Sequence, residues 1–279
     1  MMVDRSYSYL GQYDNQKDDS RYGSLVEDPS RPNCEPLVDA TNASPPLVAV
    51  IDSGWAGEAN DHRVRRMLRL SPSDQRFDDE GSAAVIANRD PLGHGTLVIG
   101  YLLSLTSKCE ILPIGIFDAS RDCTDAASLR AAIGVAIDVG VDIINVSLST
   151  AYFRDAKVLY DQCLRAHRAG IVIVAASGSR ASVGYPAGFM SVLGIRAARF
   201  ACRYGLRVDD KDTREISAYA PLIRRGDGVY RPASLAAATV TAVLCDNVAR
   251  GGKSADLAIR LLVDSNRSKC KGRHDMQGC

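Results

Sequence analysis

At 279 residues, 46% of them apolar, the chain is long enough to bury one large core or two modest ones. Its 34 basic and 33 acidic residues cancel, so it has no net field of the kind that recruits nucleic-acid phosphates. No run approaches the roughly 18 apolar residues of a membrane span. Neither nucleic acid nor membrane is therefore an expected partner.

Residues 1–46 are polar, with Tyr7, Tyr9, Tyr13 and Tyr22 interspersed, and end in NASPP; the composition predicts an extended or disordered arm. The opening MMVDRSYSYLGQYDNQKDD has no apolar stretch of the kind a secretory signal needs, so a cytoplasmic location is expected. At Leu47 the pattern changes. LVAVI (47–51), EILPIGIF (110–117), VDIINVSL (141–148), GIVIVAAS (170–177) and SVLGIRAA (191–198) are short, continuous, β-branched-rich runs. Such runs suit strands covered on both faces.

Helical patterns lie between these runs. Residues 124–140 begin with Thr and Asp cap signals, end at Gly140, and repeat Leu129, Ala132, Ile133, Ala136 and Ile137 at helical spacing. Residues 153–170 also end in Gly, with basic residues in the last turns as the helix dipole favours. Strands alternating with helices predict an α/β domain of three layers (αβα) around a mostly parallel sheet. The organisation expected is a polar arm over 1–46, a domain over 47–265 and a basic tail over 266–279. The eight scattered cysteines form no CxxC pair, and reduced thiols are expected. Cys270 and Cys279 bracket His274 in what reads as a frayed tail rather than a metal site; no metal or cofactor is expected.

In a parallel sheet the chemistry lies beyond the carboxyl ends of the strands. The first strand ends VAVIDSG, placing Asp52 there, as a turn cap or a site residue. PLGHGTLVIG sets His94 between two glycines ahead of an apolar helical pattern. Glycines remove bulk and admit another backbone; a satisfied core histidine is the plainer alternative. His62 and His167 fall in arginine-containing, helix-like segments and read as solvated. In RPASLAAATVTAV, Ser234 stands where a helix begins, either as its N-cap or as a nucleophile on its positive end. An aspartate, a histidine and a serine in that chain order suit one chemistry. The histidine takes the hydroxyl proton, and the aspartate fixes its tautomer.

With these residues in view the chain resembles the subtilases, the subtilisin-like serine proteases. VAVIDSG resembles the family's Asp motif and GHGTLVIG its His motif. INVSLS (144–149) resembles the groove strand, VAASGS (174–179) the oxyanion segment, VGYPA (183–187) the wall of the S1 pocket, and 220–242 the nucleophile segment. The resemblance, over about 47–250, implies a subtilisin-like fold with Asp52, His94 and Ser234 as a catalytic triad. It implies Ser179 as oxyanion donor, and Ser147, Leu148, Ser149, Ala176, Gly178, Arg180, Gly184 and Tyr185 against a peptide or protein substrate bound as an extended strand.

The chain departs from the family at several positions. Pro232-Ala233 stands before the nucleophile where the family has Gly-Thr. Ser179 replaces the oxyanion Asn, a donor of shorter reach. Ser149 replaces a groove Gly, and Arg180 stands near the S1 rim, where it would favour acidic P1 side chains if not simply solvated. The function expected is limited endoproteolysis of a precursor. The alternative is a pseudoprotease that grips a peptide without cutting it.

Overall fold

The computed structural model describes residues 24–26, 44–57, 61–70, 76–79, 89–117, 123–178, 184–208, 215–225 and 228–248. In chain order the elements are β1 (Ser24–Val26), β2 (Leu47–Asp52), β3 (Leu68–Leu70), β4 (Phe77–Asp79), α1 (His94–Leu105), β5 (Glu110–Gly115), α2 (Ala126–Val139) and β6 (Ile143–Val146). Then come α3 (Phe153–Arg168), β7 (Val172–Ala176), β8 (Leu193–Ala198), β9 (Leu206–Val208), β10 (Glu215–Tyr219), β11 (Leu222–Arg225), β12 (Gly228–Tyr230) and α4 (Ala233–Val248). The five strands and the helices expected from sequence are all present. Their ends differ by a few residues, where caps and turns compete with the pattern.

Nine strands form the main sheet in the order β4-β3-β5-β2-β6-β7-β8-β10-β9. The strands from β3 to β10 in that order run parallel, and antiparallel β4 and β9 close the two edges. Strand β2 is buried along its whole length between β5 and β6. Its side chains alternate between two cores. Val48 and Val50 face α1 and α4. Leu47, Ala49 and Ile51 face α2 and α3.

The layering follows from handedness. The chain leaves β2 in one direction to reach β5 and then crosses back over β2 to reach β6. Right-handed crossovers in opposite directions put α1 on one face and α2 on the other. The carboxyl end of β2 therefore opens at the point where strand order reverses, the crevice in which such sheets hold their ligands.

Local chemistry sets the helix ends. The Asp125 side chain caps α2 by accepting from Ser128 N at 2.7 Å, and Gly140 stops the helix in a left-handed turn. In α3, Ala156, Leu159, Cys163 and Ala166 make one buried stripe, and Arg165, His167 and Arg168 occupy the last turn. Two expectations need correction. His62 lies in a turn, not a helix, and is exposed, whereas His167 is half-buried rather than solvated. Within the arm, Ser24–Val26 is extended and pairs antiparallel with β11. Three polar-flanked residues carry no periodic signal, so only the partner strand reveals them. The tail 266–279, with Cys270, His274 and Cys279, lies outside the described residues.

Candidate active site

Asp52 ends β2 with a side chain that is 1% exposed. His94 opens α1, and Ser234 is the second residue of α4. Helices α1 and α4 lie in one core on the same face of the sheet, through Val98, Ile99 and Leu102 against the alanines and valines of α4. Tyr101 and Thr239 hydroxyls meet across them at 3.2 Å. This packing brings two helix N-termini to the end of β2.

The three side chains form one line. His94 Nδ1 lies 2.8 and 2.9 Å from the two oxygens of Asp52, and its Nε2 lies 3.1 Å from Ser234 Oγ. An ionised carboxylate only accepts, so Nδ1 carries the proton and the Nε2 lone pair faces the serine. Burial opposes the charge of Asp52. The His94 charge and hydrogen bond, the Ser53 N–H and the Ser147 hydroxyl outweigh it, and the carboxyl is held below its usual range. Burial likewise pushes His94 toward its neutral form. The Asp52 charge and hydrogen bond, with Asp90 behind them, prevail and raise its pKa above the ordinary imidazole value.

Ser234 is not the helix cap. Pro232 takes that place, its carbonyl accepting from Ala236 N at 3.3 Å. The serine therefore stands within the first turn, where N–H groups without intrahelical partners and the positive dipole end also lie. Proline suits the step into a helix because its missing N–H is not needed there. The glycines beside His94 act as their chemistry suggests. Gly93 adopts a left-handed φ of 72°. A side chain at Gly95 would strike the backbone of Gly54, so its absence lets the His94 turn close onto the Asp52 turn.

A polar web beneath the pair escaped the sequence reasoning. Ser53 N donates to Asp52 Oδ1 at 2.6 Å, and Ser53 Oγ donates to Asp90 Oδ1 at 2.6 Å while accepting from Gly95 N at 2.9 Å. Asp90 also accepts from Gly93 N at 3.0 Å, Thr96 N at 2.7 Å and Thr96 Oγ1 at 2.6 Å. The signal available was an aspartate, Asp90, four residues before the histidine.

The residues expected to line a groove divide. Ser149, Gly178, Gly184 and Tyr185 come together. A side chain at Gly184 would lie 2.9 Å from Gly178 N and 3.1 Å from Ser149 Cβ, so the three segments touch. Thr150 and Tyr185 exchange backbone hydrogen bonds of 2.9 and 2.8 Å beside them. Ser147 turns inward, with its hydroxyl beside Asp52 and 3.2 Å from Asn145 Oδ1. Leu148 and Ala176 bury their side chains, Leu148 in the core with α2 and α3 and Ala176 in the core with α1 and α4. Runs of apolar strand residues conceal which end emerges from the core. Ser179 and Arg180 lie outside the described residues. Among the described residues no three His, Cys, Asp or Glu side chains gather as metal ligands would.

A family model described as the subtilase family matches residues 44–256. The minor extracellular protease Epr of Bacillus subtilis (strain 168) is 30% identical over 165 residues, 54% of this chain and 23% of that protein. Subtilisin of Bacillus pumilus is 31% identical over 169 residues, 55% of this chain and 57% of that protein. Subtilisin DY of Bacillus licheniformis is 28% identical over 169 residues, 54% of this chain and 55% of that protein. The chain thus spans little more than half the length of these relatives at most. Among solved structures, the prenylagaramide maturation protease PagA aligns with a TM-score of 0.51 at 18% identity, over 75% of this chain and 78% of that one. An S218A mutant of the protease domain of PatA aligns with a TM-score of 0.53 at 19% identity, over 77% and 85%. These two likenesses speak for the fold.

Proposed function

Because the chain belongs to the subtilase family and has its fold, we propose that it is a serine endopeptidase making limited cuts in a peptide or protein precursor. Asp52, His94 and Ser234 form its triad. Ser234 Oγ attacks the scissile carbonyl as His94 Nε2 takes its proton, and the same proton then passes to the leaving amine. Asp52 keeps the imidazole in the tautomer that can accept and offsets the charge it gains. What carries the proposal is His94 itself, within hydrogen-bond reach of Asp52 on one nitrogen and of Ser234 on the other.

The substrate lies as an extended strand against Ser149, Gly178, Gly184 and Tyr185. Ser179 supplies an oxyanion donor of short reach, aided by the first turn of α4. Arg180, which the resemblance implies near the S1 rim, favours acidic or small polar P1 side chains. Precursor processing is supported by the likeness to a protease named for the maturation of prenylagaramide. The catalytic unit is 47–265, between an arm and a tail, and it works in the cytoplasm. No described helix is long and apolar enough to cross a membrane.

The test is labelling of the folded chain by a serine-directed fluorophosphonate, read by intact mass and by mapping of the modified peptide. One adduct on Ser234 is expected. A folded chain that takes no adduct would overturn the protease assignment in favour of a peptide-binding module, the alternative that the shorter Ser179 donor suggests.

A further inference from the structure

Arg69, on β3, is a buried cation, 6% exposed, that the proposed chemistry does not use. Its guanidinium spans two backbone carbonyls. Nη1 donates to Ser53 O at 2.9 Å and Nη2 donates to Phe117 O at 2.7 Å. The register explains how it reaches them. Arg69 and Asp52 are both paired with Gly115, one from each side of β5. A methyl group at Gly115 would stand 2.6 Å from Nη1, so the bare glycine opens the path across β5 to the end of β2.

Ser53 is thereby held on every polar atom. Arg69 takes its carbonyl, Asp52 its N–H, and Asp90 its hydroxyl, which also receives Gly95 N. Asp90 then ties this point to the first turn of α1 through Thr96 N and Oγ1. That turn carries His94. A buried cation and a carboxylate with this many fixed donors are an expensive way to gain stability alone. They are an effective way to hold one geometry.

We propose that Arg69 and Asp90 are positioning residues that grip Ser53 between them and so aim the Asp52–His94 pair at Ser234, without touching substrate. The proposal rests on the function given above. Among the described residues, the charged groups acting on His94 include Asp52 from β2 and Asp90 from the segment ahead of α1, while α4 presents the uncharged Ser234. Removing the Asp90 charge therefore acts on His94 in two ways, through its orientation and through its titration.

The experiment compares the full-length wild type with Asp90→Asn, Arg69→Met and Arg69→Lys. Turnover per fluorophosphonate-titrated site, its pH profile and the NMR titration of the His94 ring are measured. In Asp90→Asn, kcat should fall about 10-fold with KM within about 2-fold, short of the roughly 10²-fold that a misplacement near 1 Å costs. The acid limb and the NMR midpoint of His94 should both move to lower pH. Arg69→Lys keeps the charge but cannot bridge two carbonyls with one ammonium, so its kcat should fall as in Arg69→Met. It is the variant to read if Arg69→Met does not fold. Ser53→Ala, which removes only the hydroxyl, serves if Asp90→Asn does not fold, and it too should lower kcat.

Folded variants with wild-type turnover per site and an unmoved His94 titration would overturn the clamp. So would a lowered melting temperature with wild-type turnover in the molecules that remain folded. A wild type that takes no label would instead remove the proposed function, and the His94 titration would still judge the clamp.

Discussion

Asp52 and His94 sit in a web of hydrogen bonds to Ser53, Asp90 and Thr96, whereas Ser234 stands on a helix whose neighbouring residues are apolar and buried. Leu235, Ala236, Ala237 and Ala238 are each 0% exposed. The difference follows from the chemistry of each group. A buried charge must be met by donors and a partner or it neutralises. A neutral hydroxyl needs only a fixed backbone beneath it, and close-packed alanines provide that. One side of the centre is therefore held by polar geometry and the other by volume.

Chemistry can be broken on either side. Ser234→Ala removes the proposed nucleophile while leaving the packing of α4 intact. Turnover should fall by about 10⁶-fold, as when a triad serine is deleted. Thermal unfolding should stay close to wild type, and residual cleavage near the wild-type rate would end the assignment.

Asp52→Asn strikes the polar side and should lower kcat by about 10⁴-fold, because the amide favours the wrong imidazole tautomer. The pH profile sharpens the contrast. His94 must be neutral to accept a proton, and its pKa is raised in the folded state. Wild-type kcat/KM should therefore be lost as pH falls, at a midpoint above the ordinary histidine value of about 6.5. Asp52→Asn removes the largest attraction and should shift that midpoint downward. The linkage to stability has the opposite sense on the pH axis. The raised His94 pKa adds stability that is full below the unfolded-state value and lost as pH rises through the folded one. The lowered Asp52 pKa adds stability above its unfolded-state value that is lost as pH falls through the folded one.

The volume side breaks by overpacking. Ala237→Leu forces three extra carbons into a fully buried position and should cost about 1–3 kcal/mol of stability. Denaturant midpoints would measure it. A neutral result would mean that α4 is less tightly packed than its burial indicates.

The smallest effect concerns the approach to Ser234. Strand β1 pairs with β11, whose hairpin partner β12 leads directly into α4. Deleting residues 1–40 removes that strand. The loss of this three-residue edge strand, worth about 1 kcal/mol in all once the freed chain entropy is counted, should lower the melting temperature by a few degrees at most. A fall far larger than this would show that the arm supports the body through more than β1.

Much of this centre was legible in the chain before any contact was known. Buried strands announce themselves by continuous apolar runs, and β2, β5, β6, β7 and β8 were all marked in this way. Gly93 and Gly95 signalled a close backbone approach, which Gly54 then supplied. Asp52, His94 and Ser234 were candidates because each fell at an element end, although each also had a plain reading as a cap or a satisfied core residue. Short edge strands such as β3, β4 and β9 gave no such signal, since three residues are fewer than two full periods of a strand pattern.

Tertiary structure alone decided the rest. That Ser147 turns to Asp52 while Ser149 meets Gly184 depends on where β6 leaves the core. That Pro232 rather than Ser234 caps α4 depends on how the β12 strand enters the helix. The Arg69–Ser53–Asp90 contacts join residues from three separate stretches of chain across a glycine on β5. Local sequence determines which elements form, because periodicity and caps act over a few residues. Which polar side chains share a hydrogen bond is set by register and packing, which no short stretch of sequence contains.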